Sequence, residues 1–243
     1  MKFKMKSPIS LPAPSAILFD LDGTLADTAP DLAAAVHKLQ IARGLVPTPY
    51  SLLRPVASAG ARGLIGAGFG LGPGDEGYDD LRNGFLSNYT AAIAEKSQLF
   101  DGIPALLERL AQYNLQWGIV TNKAARLTDL LVPQIGLQTA GCVISGDTTP
   151  HPKPHPAPLL EAARRLNLLP ENCWYVGDDL RDIQAGQAAG MPTIAAGWGY
   201  CGSTEPNAWD ADALMETPFD LLELIEASLS TALTASNATP VQR

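Results

Sequence analysis

The chain has 243 residues, 46% hydrophobic and 17% charged, enough apolar material for a packed core and not the composition of a disordered protein. Its net charge of −8 excludes a general nucleic-acid binder, which needs clustered lysine and arginine, but not a small phosphate ester met by one or two local cations. No run approaches the ~20 apolar residues of a membrane span, the basic start at residues 1–6 lacks a signal peptide's apolar stretch, and Cys142, Cys173 and Cys201 form no CxxC pair. A reduced compartment, the cytoplasm, is expected.

Residues 1–13 read as a loose tail. Residues 16–19, Ala-Ile-Leu-Phe, have the composition of a buried strand and stop at two carboxylates one residue apart, Asp20 and Asp22, before Gly23 turns the chain. A strand buried on both faces has no use for Asp20. The carboxylate is therefore expected just past the strand's carboxyl end, where open α/β sheets place their ligand sites. Residues 31–39 and 78–95 are helical in pattern, and no convincing strand lies between residues 28 and 100. Roughly seventy residues without a strand are too many for a connection within a compact sheet, so a separate helical cap over residues 29–100 is expected. Eight glycines fall between residues 60 and 77, which reads first as a flexible loop. A sharper reading has Ser58-Ala-Gly60-Ala-Arg62 open a helix whose amides and Arg62 guanidinium face the site.

From residue 101 onward helix and strand alternate, which implies right-handed βαβ units and a parallel sheet. Residues 103–110 are helical, with Pro104 in the first turn. Strands are expected at 117–120, ending at Thr121-Asn122-Lys123, and at 141–144, ending at Ser145-Gly-Asp147. Lys153 follows in the loop Pro150-His-Pro-Lys-Pro-His155. A helix over 157–166, a strand over 173–176 ending at Gly177-Asp178-Asp179, a helix over 182–189 closed by Gly190, and a strand over 192–195 complete the pattern. The Ser, Thr, Ala and Asn composition after residue 228 suggests a frayed tail over 229–243.

In a parallel sheet these strand ends meet on one edge. That gathers Asp20, Asp22, Thr121, Asn122, Lys153, Asp178, Asp179 and Asp182. Several carboxylates there would resist ionisation unless a cation joined them, and hard oxygen donors fit Mg²⁺. The arrangement suits phosphoryl transfer to an aspartate. Lys153 and the cation screen the phosphate, Thr121 donates to it, and Asp22 protonates the leaving oxygen before activating water. No glycine spacing matches a nucleotide fingerprint.

The motifs FDLDGTLADT, VTN, KP and VGDDLRD, in that order, resemble the haloacid dehalogenase superfamily of phosphatases across residues 16–224. The resemblance implies an α/β fold: a doubly wound, Rossmann-like parallel-sheet core (residues 14–28 and 101–228) with an inserted α-helical cap. It implies Asp20 as nucleophile, Asp22 as acid/base, Thr121 as phosphate donor and Lys153 as clamp. It also implies Mg²⁺ held by Asp20, the Asp22 backbone carbonyl and Asp178. Within the superfamily, DLDGTLADTAPDLAAAV, GIVTNK, KPHPAPLL and GDDLRDIQAGQAAGMPT resemble the phosphoglycolate phosphatase branch. That branch often has Ser where this chain has Asp179, so Asp179 is a lesser metal candidate. Asp179, SAGARGLI and Trp209-Asp-Ala-Asp212 also resemble N-acetylmuramic acid 6-phosphate phosphatases, and a phosphosugar mutase shares every motif.

Asn122, Ser58, Gly60 and Arg62 are the candidate substrate-binding residues, with Arg62 preferred as the cation for a substrate carboxylate. Lys123 reads as an ordinary surface charge, His37 as a surface residue, Asp147 as a turn former, and His151 and His155 as loop residues. The expected partner is a small phosphate ester. Oligomeric state is not legible.

Overall fold

The computed structural model describes residues 11–202 and 204–237. Strand β1 (Ala16–Phe19) is followed by a two-residue strand, β2 (Ala26–Asp27). Four helices come next: α1 (Ala29–Ala42), α2 (Tyr50–Leu53), α3 (Gly60–Phe69) and α4 (Tyr78–Ala91). Strand β3 (Gln98–Leu99) then pairs back antiparallel to β2. Beyond it run α5 (Ile103–Gln112), β4 (Gln116–Val120), α6 (Ala125–Gln134), β5 (Cys142–Ile144) and α7 (Ala157–Leu166). The chain continues with β6 (Cys173–Gly177), α8 (Leu180–Ala189), β7 (Thr193–Ala196), β8 (Ala213–Met215) and α9 (Pro218–Asn237).

Six strands form one sheet in the order β5–β4–β1–β6–β7–β8, every pair parallel, with Ile17 opposite both Trp117 and Trp174. The β1 side chains are fully buried, as a strand covered by helices on both faces requires. The chain builds outward from β1 to β5, then crosses back to β6. The carboxyl ends of β1, β4 and β6 thus flank the point where strand order reverses, which is where such sheets open a crevice.

The helices between β2 and β3 pack on one another through Leu32, Val36, Leu64, Ile65, Leu81 and Phe85. The glycine-rich stretch is not a loop in its first half. It forms α3, and a side chain at Gly68 would lie 2.8 Å from the Val36 side chain of α1, so glycine lets the two helices approach. The insert is anchored at both ends. Tyr200 Oη accepts from the Thr28 and Ala29 amides at 2.8 and 2.9 Å, and Asp31 accepts from the Lys96 and Ser97 amides at 2.9 and 2.8 Å.

The frayed end expected after residue 228 is instead helix as far as Asn237. Leu221 and Ile225 bury its inner face, α5 packs against it, and Ser228, Ser230 and Thr231 return their hydroxyls to carbonyls one turn back. At the other end, residues 1–10 lie outside the described residues, and the Pro12 carbonyl accepts from Trp174 Nε1 at 3.0 Å. No described helix is long and apolar enough to cross a membrane.

Candidate active site

Lys153 is the hub. Its buried ammonium lies 2.8 Å from Asp20 Oδ1, 2.7 Å from Asp182 Oδ1, 2.8 Å from the Val120 carbonyl and 2.7 Å from the Tyr175 hydroxyl. Burial alone would lower its pKa, but Asp182 and Asp20 outweigh that and raise it. The loop carrying it is fixed by Asn122, which accepts from the Lys153 amide with Oδ1 and donates to its carbonyl with Nδ2, both at 2.9 Å. Asn122 also borders the cavity, with one N–H and one oxygen lone pair of its amide taken up by this clamp. Thr121 Oγ1 accepts from the Lys123 amide at 3.1 Å, which leaves its own O–H to donate elsewhere.

Three carboxylates gather beside this lysine. Asp20, Asp178 and Asp182 each present an oxygen within 4.8 Å of the others, all buried. Burial and its neighbours Asp182 and Asp22 push the Asp20 pKa up to about 7, even with Lys153 pulling it down. Asp178 is driven well above the usual carboxylate range by burial and then by Asp20 and Asp182. Hard oxygen donors that resist ionisation together are the donor set of a small divalent cation, so these residues fit one. Asp178 is held by Thr24 Oγ1 at 2.9 Å and the Tyr200 amide at 2.9 Å. Gly23 has φ +94°, and a Cβ there would sit 2.1 Å from Asp178 Oδ2; only glycine permits this approach.

The structure corrects the sequence reading at three positions. Asp179 is not in the carboxylate group. It caps α8 and pairs with Arg181 at 2.7 Å, and that guanidinium outweighs burial to lower its pKa. Asp182, one helical turn on, occupies the place instead. Arg62 lies exposed on α3, outside the cavity wall, although Ser58, Gly60 and the first turn of α3 do face the cavity. Lys123 is no surface charge: its side chain is 6% exposed and its ammonium lies 2.9 Å from Asp22 Oδ1.

The other sequence candidates fall into place around these. Ser58 Oγ donates to Asp178 Oδ2 at 3.2 Å, bringing the helical insert onto the carboxylate group. Asp22 Oδ1 also accepts from Thr28 Oγ1, and its carboxylate stands apart from the group of three. Asp147 does more than turn the chain, since it accepts from the Ala125 amide at the start of α6. His37 is half-buried on the Thr48 carbonyl, and His151 and His155 are exposed in their loop.

Above Asp20 and Asp22 lies a cavity of about 210 Å³ between the sheet edge and the insert. Its walls include residues that sequence reasoning missed: Phe85, Leu86 and Tyr89 of α4, Arg82 and Arg126 at the rim, and Arg181. Only the position of Lys123, two residues beyond Thr121, offered a signal. The α4 residues depend on how that helix folds over the sheet, and Arg126 and Arg181 are brought in by the first turns of α6 and α8.

Comparison with known proteins agrees with this geometry. The family described as haloacid dehalogenase-like hydrolase matches residues 17–196. The chain is 47% identical over 212 residues to a phosphoglycolate phosphatase of Xanthomonas campestris pv. campestris, covering 86% of this chain and 96% of that one. It is 40% identical to an N-acetylmuramic acid 6-phosphate phosphatase of Pseudomonas putida, covering 88% and 97%. Its fold superposes with TM-score 0.79 on a crystal structure from Haemophilus somnus titled a predicted phosphoglycolate phosphatase, at 23% identity and covering 88% and 99% of the two chains. The chain belongs to the haloacid dehalogenase-like hydrolases, and it is a phosphatase.

Proposed function

We propose that this haloacid dehalogenase-like hydrolase is a Mg²⁺-dependent phosphatase of 2-phosphoglycolate that works through a phosphoaspartyl intermediate on Asp20. The observation that carries the substrate is the size of the cavity. At about 210 Å³ it lies below the ~300–1,000 Å³ of pockets for drug-sized ligands and suits a two-carbon phosphate ester. The relative at 47% identity bears that activity in its name.

Asp20, Asp178 and Asp182, with the Asp22 carbonyl, would hold the Mg²⁺. Bound there, it offsets the charge of the phosphate dianion and of the carboxylates around it. Lys153 occupies Asp20 Oδ1, so the other carboxylate oxygen is the attacking atom. It forms a bond to phosphorus while the ester P–O bond breaks, and the electron pair leaves on the substrate oxygen, which takes the Asp22 proton. Asp22 then removes a proton from water, whose oxygen bonds to phosphorus as the Asp20–phosphorus link breaks. The carboxylate is regenerated and inorganic phosphate is released. Thr121 donates to a phosphoryl oxygen, and helices α1–α4 act as a cap that keeps bulk water away. We place the reaction in the cytoplasm, in keeping with three free cysteines.

A second reading, N-acetylmuramic acid 6-phosphate, is favoured by a groove along α4 that shares Leu86 and Arg126 with the cavity and extends its space. Phosphate release from both esters with Mg²⁺ separates the two. A kcat/KM for 2-phosphoglycolate at least about 100-fold higher supports the first, and the reverse order assigns the amino sugar.

Mg²⁺ should also stabilise the fold in a pH-dependent way. Asp20 binds its proton more tightly in the folded protein than in the unfolded chain. Its contribution to stability is therefore full below about pH 4 and is lost as pH rises toward 7. Saturating Mg²⁺ is expected to raise the Tm by about 5–10 °C at pH 7.5 and by much less at pH 5, where protons compete. Equal shifts at both pH values would mean that the ion binds elsewhere.

A further inference from the structure

Tyr89 is 1% exposed, yet its hydroxyl makes no hydrogen bond among the described residues. A buried unpaired hydroxyl is costly to leave without a partner, so it calls for one that binds there. The residue stands on α4, stacked on Phe85 at 6.2 Å, and lines the cavity. Burial pushes its pKa up to about 12, with Lys123 pulling the other way, so at neutral pH it remains an O–H donor.

Lys123 reaches the same place from the core. Its ammonium lies 4.7 Å from the Tyr89 ring centroid. Of its three N–H donors, one goes to Asp22 Oδ1 at 2.9 Å, and the Tyr89 hydroxyl oxygen is close enough to feel the ammonium but not placed for a regular hydrogen bond, which leaves Lys123 with a donor to spare. A cation and a hydroxyl, both buried and both with donors to spare, therefore face one cavity. Their distance from the chemistry is set by Asp22, the group assigned to the leaving oxygen. A substituent one or two bonds beyond that oxygen comes to rest against Lys123.

We infer that Tyr89 and Lys123 form a second anion-recognition site, beside the phosphate site, that reads a carboxylate on the carbon next to the ester oxygen. The inference rests on the proposed 2-phosphoglycolate activity and gives it a structural cause. A carboxylate accepts from the Tyr89 hydroxyl and the free Lys123 donors together, filling both vacancies with charge-assisted bonds. A phosphate ester with an alkyl group in that position leaves both donors unpaired at their buried positions in the cavity wall. Such sites reject an analogue that lacks the partner more strongly than apolar pockets reject one of a different size. Tyr89 belongs to the insert and Lys123 to the core, so a bound carboxylate also joins the two layers.

The test compares 2-phosphoglycolate with ethyl phosphate, which differ only in carboxylate against methyl, in wild type, Tyr89→Phe and Lys123→Met. Wild type is expected to prefer the carboxylate by about 100-fold or more in kcat/KM. Tyr89→Phe should cut that preference about tenfold, and Lys123→Met should remove most of it. Tyr89→Phe keeps the ring and deletes only an unbonded hydroxyl, so its Tm should match or exceed that of wild type. Two results overturn the inference while leaving the substrate proposal standing: an unchanged preference in both variants, or equal losses on both esters together with a lowered Tm. A wild-type enzyme with no preference for the carboxylate defeats the inference and the substrate proposal alike.

Discussion

Asp20→Asn should reduce phosphate release from any monoester by at least about 10⁴-fold, because it replaces the attacking carboxylate oxygen with an amide nitrogen that cannot form the phosphoaspartyl bond. The fold should survive. Asparagine is close to isosteric, can still offer a carbonyl to Lys153 2.8 Å away, and carries no charge to be buried beside the other carboxylates, the burial and crowding that push Asp20 up to about 7. Circular dichroism and Tm would check the fold, and single-turnover release of inorganic phosphate would check the chemistry. Residual turnover within about tenfold of wild type would rule out a covalent step at this residue.

Lys153→Met should damage both activity and stability. The ammonium faces Asp20 and Asp182 within 2.8 Å, with Asp178 alongside. Removing one partner of a buried ionic group costs roughly 3–5 kcal/mol, so Tm at pH 7.5 should fall by about 6–20 °C. The deficit should shrink at pH 5. Without Lys153 the Asp20 carboxyl holds its proton still more tightly, and what the variant loses, it loses as pH rises. Turnover should drop by about 10³-fold or more even when Mg²⁺ restores the Tm, because the positive charge at the transferring phosphoryl group is missing. A Tm deficit independent of pH would show that lost packing, and not charge, is responsible.

Much of this could be read from the residues in order. Short apolar runs ending in polar residues marked five of the six sheet strands, and their parallel arrangement carried Asp20, Thr121, Lys153 and Asp178 to one edge. Strand β8 and the β2–β3 pair escaped notice because strands this short register only where turn formers bound a run with β-branched residues, as at β5, and Ala26–Asp27, Gln98–Leu99 and Ala213–Met215 hold none. The exchange of Asp179 for Asp182 is a matter of capping. Asp179 gives its carboxylate to the first turn of α8 and to Arg181, while Asp182 turns inward, a choice made by local helix geometry. Arg62 was misplaced by helix phase, since the residues just before it face the cavity and it lies about 100° further round. Lys123 and Tyr89 meet only because α4 folds back over the end of β4, a long-range event that a linear reading does not foresee.

The chain enters the helical insert through Ala26–Asp27 and leaves it through Gln98–Leu99, paired side by side. A segment that departs and returns through neighbouring residues adds almost no constraint to the body it leaves, whatever its length. Selectivity in this architecture can therefore be rewritten by exchanging the excursion wholesale. The ester-cleaving machinery stays where the sheet puts it, and the new occupant has to be matched to the core contacts of the insert, among them Ser58 on Asp178, Ala29 on Tyr200 and Tyr89 on Lys123.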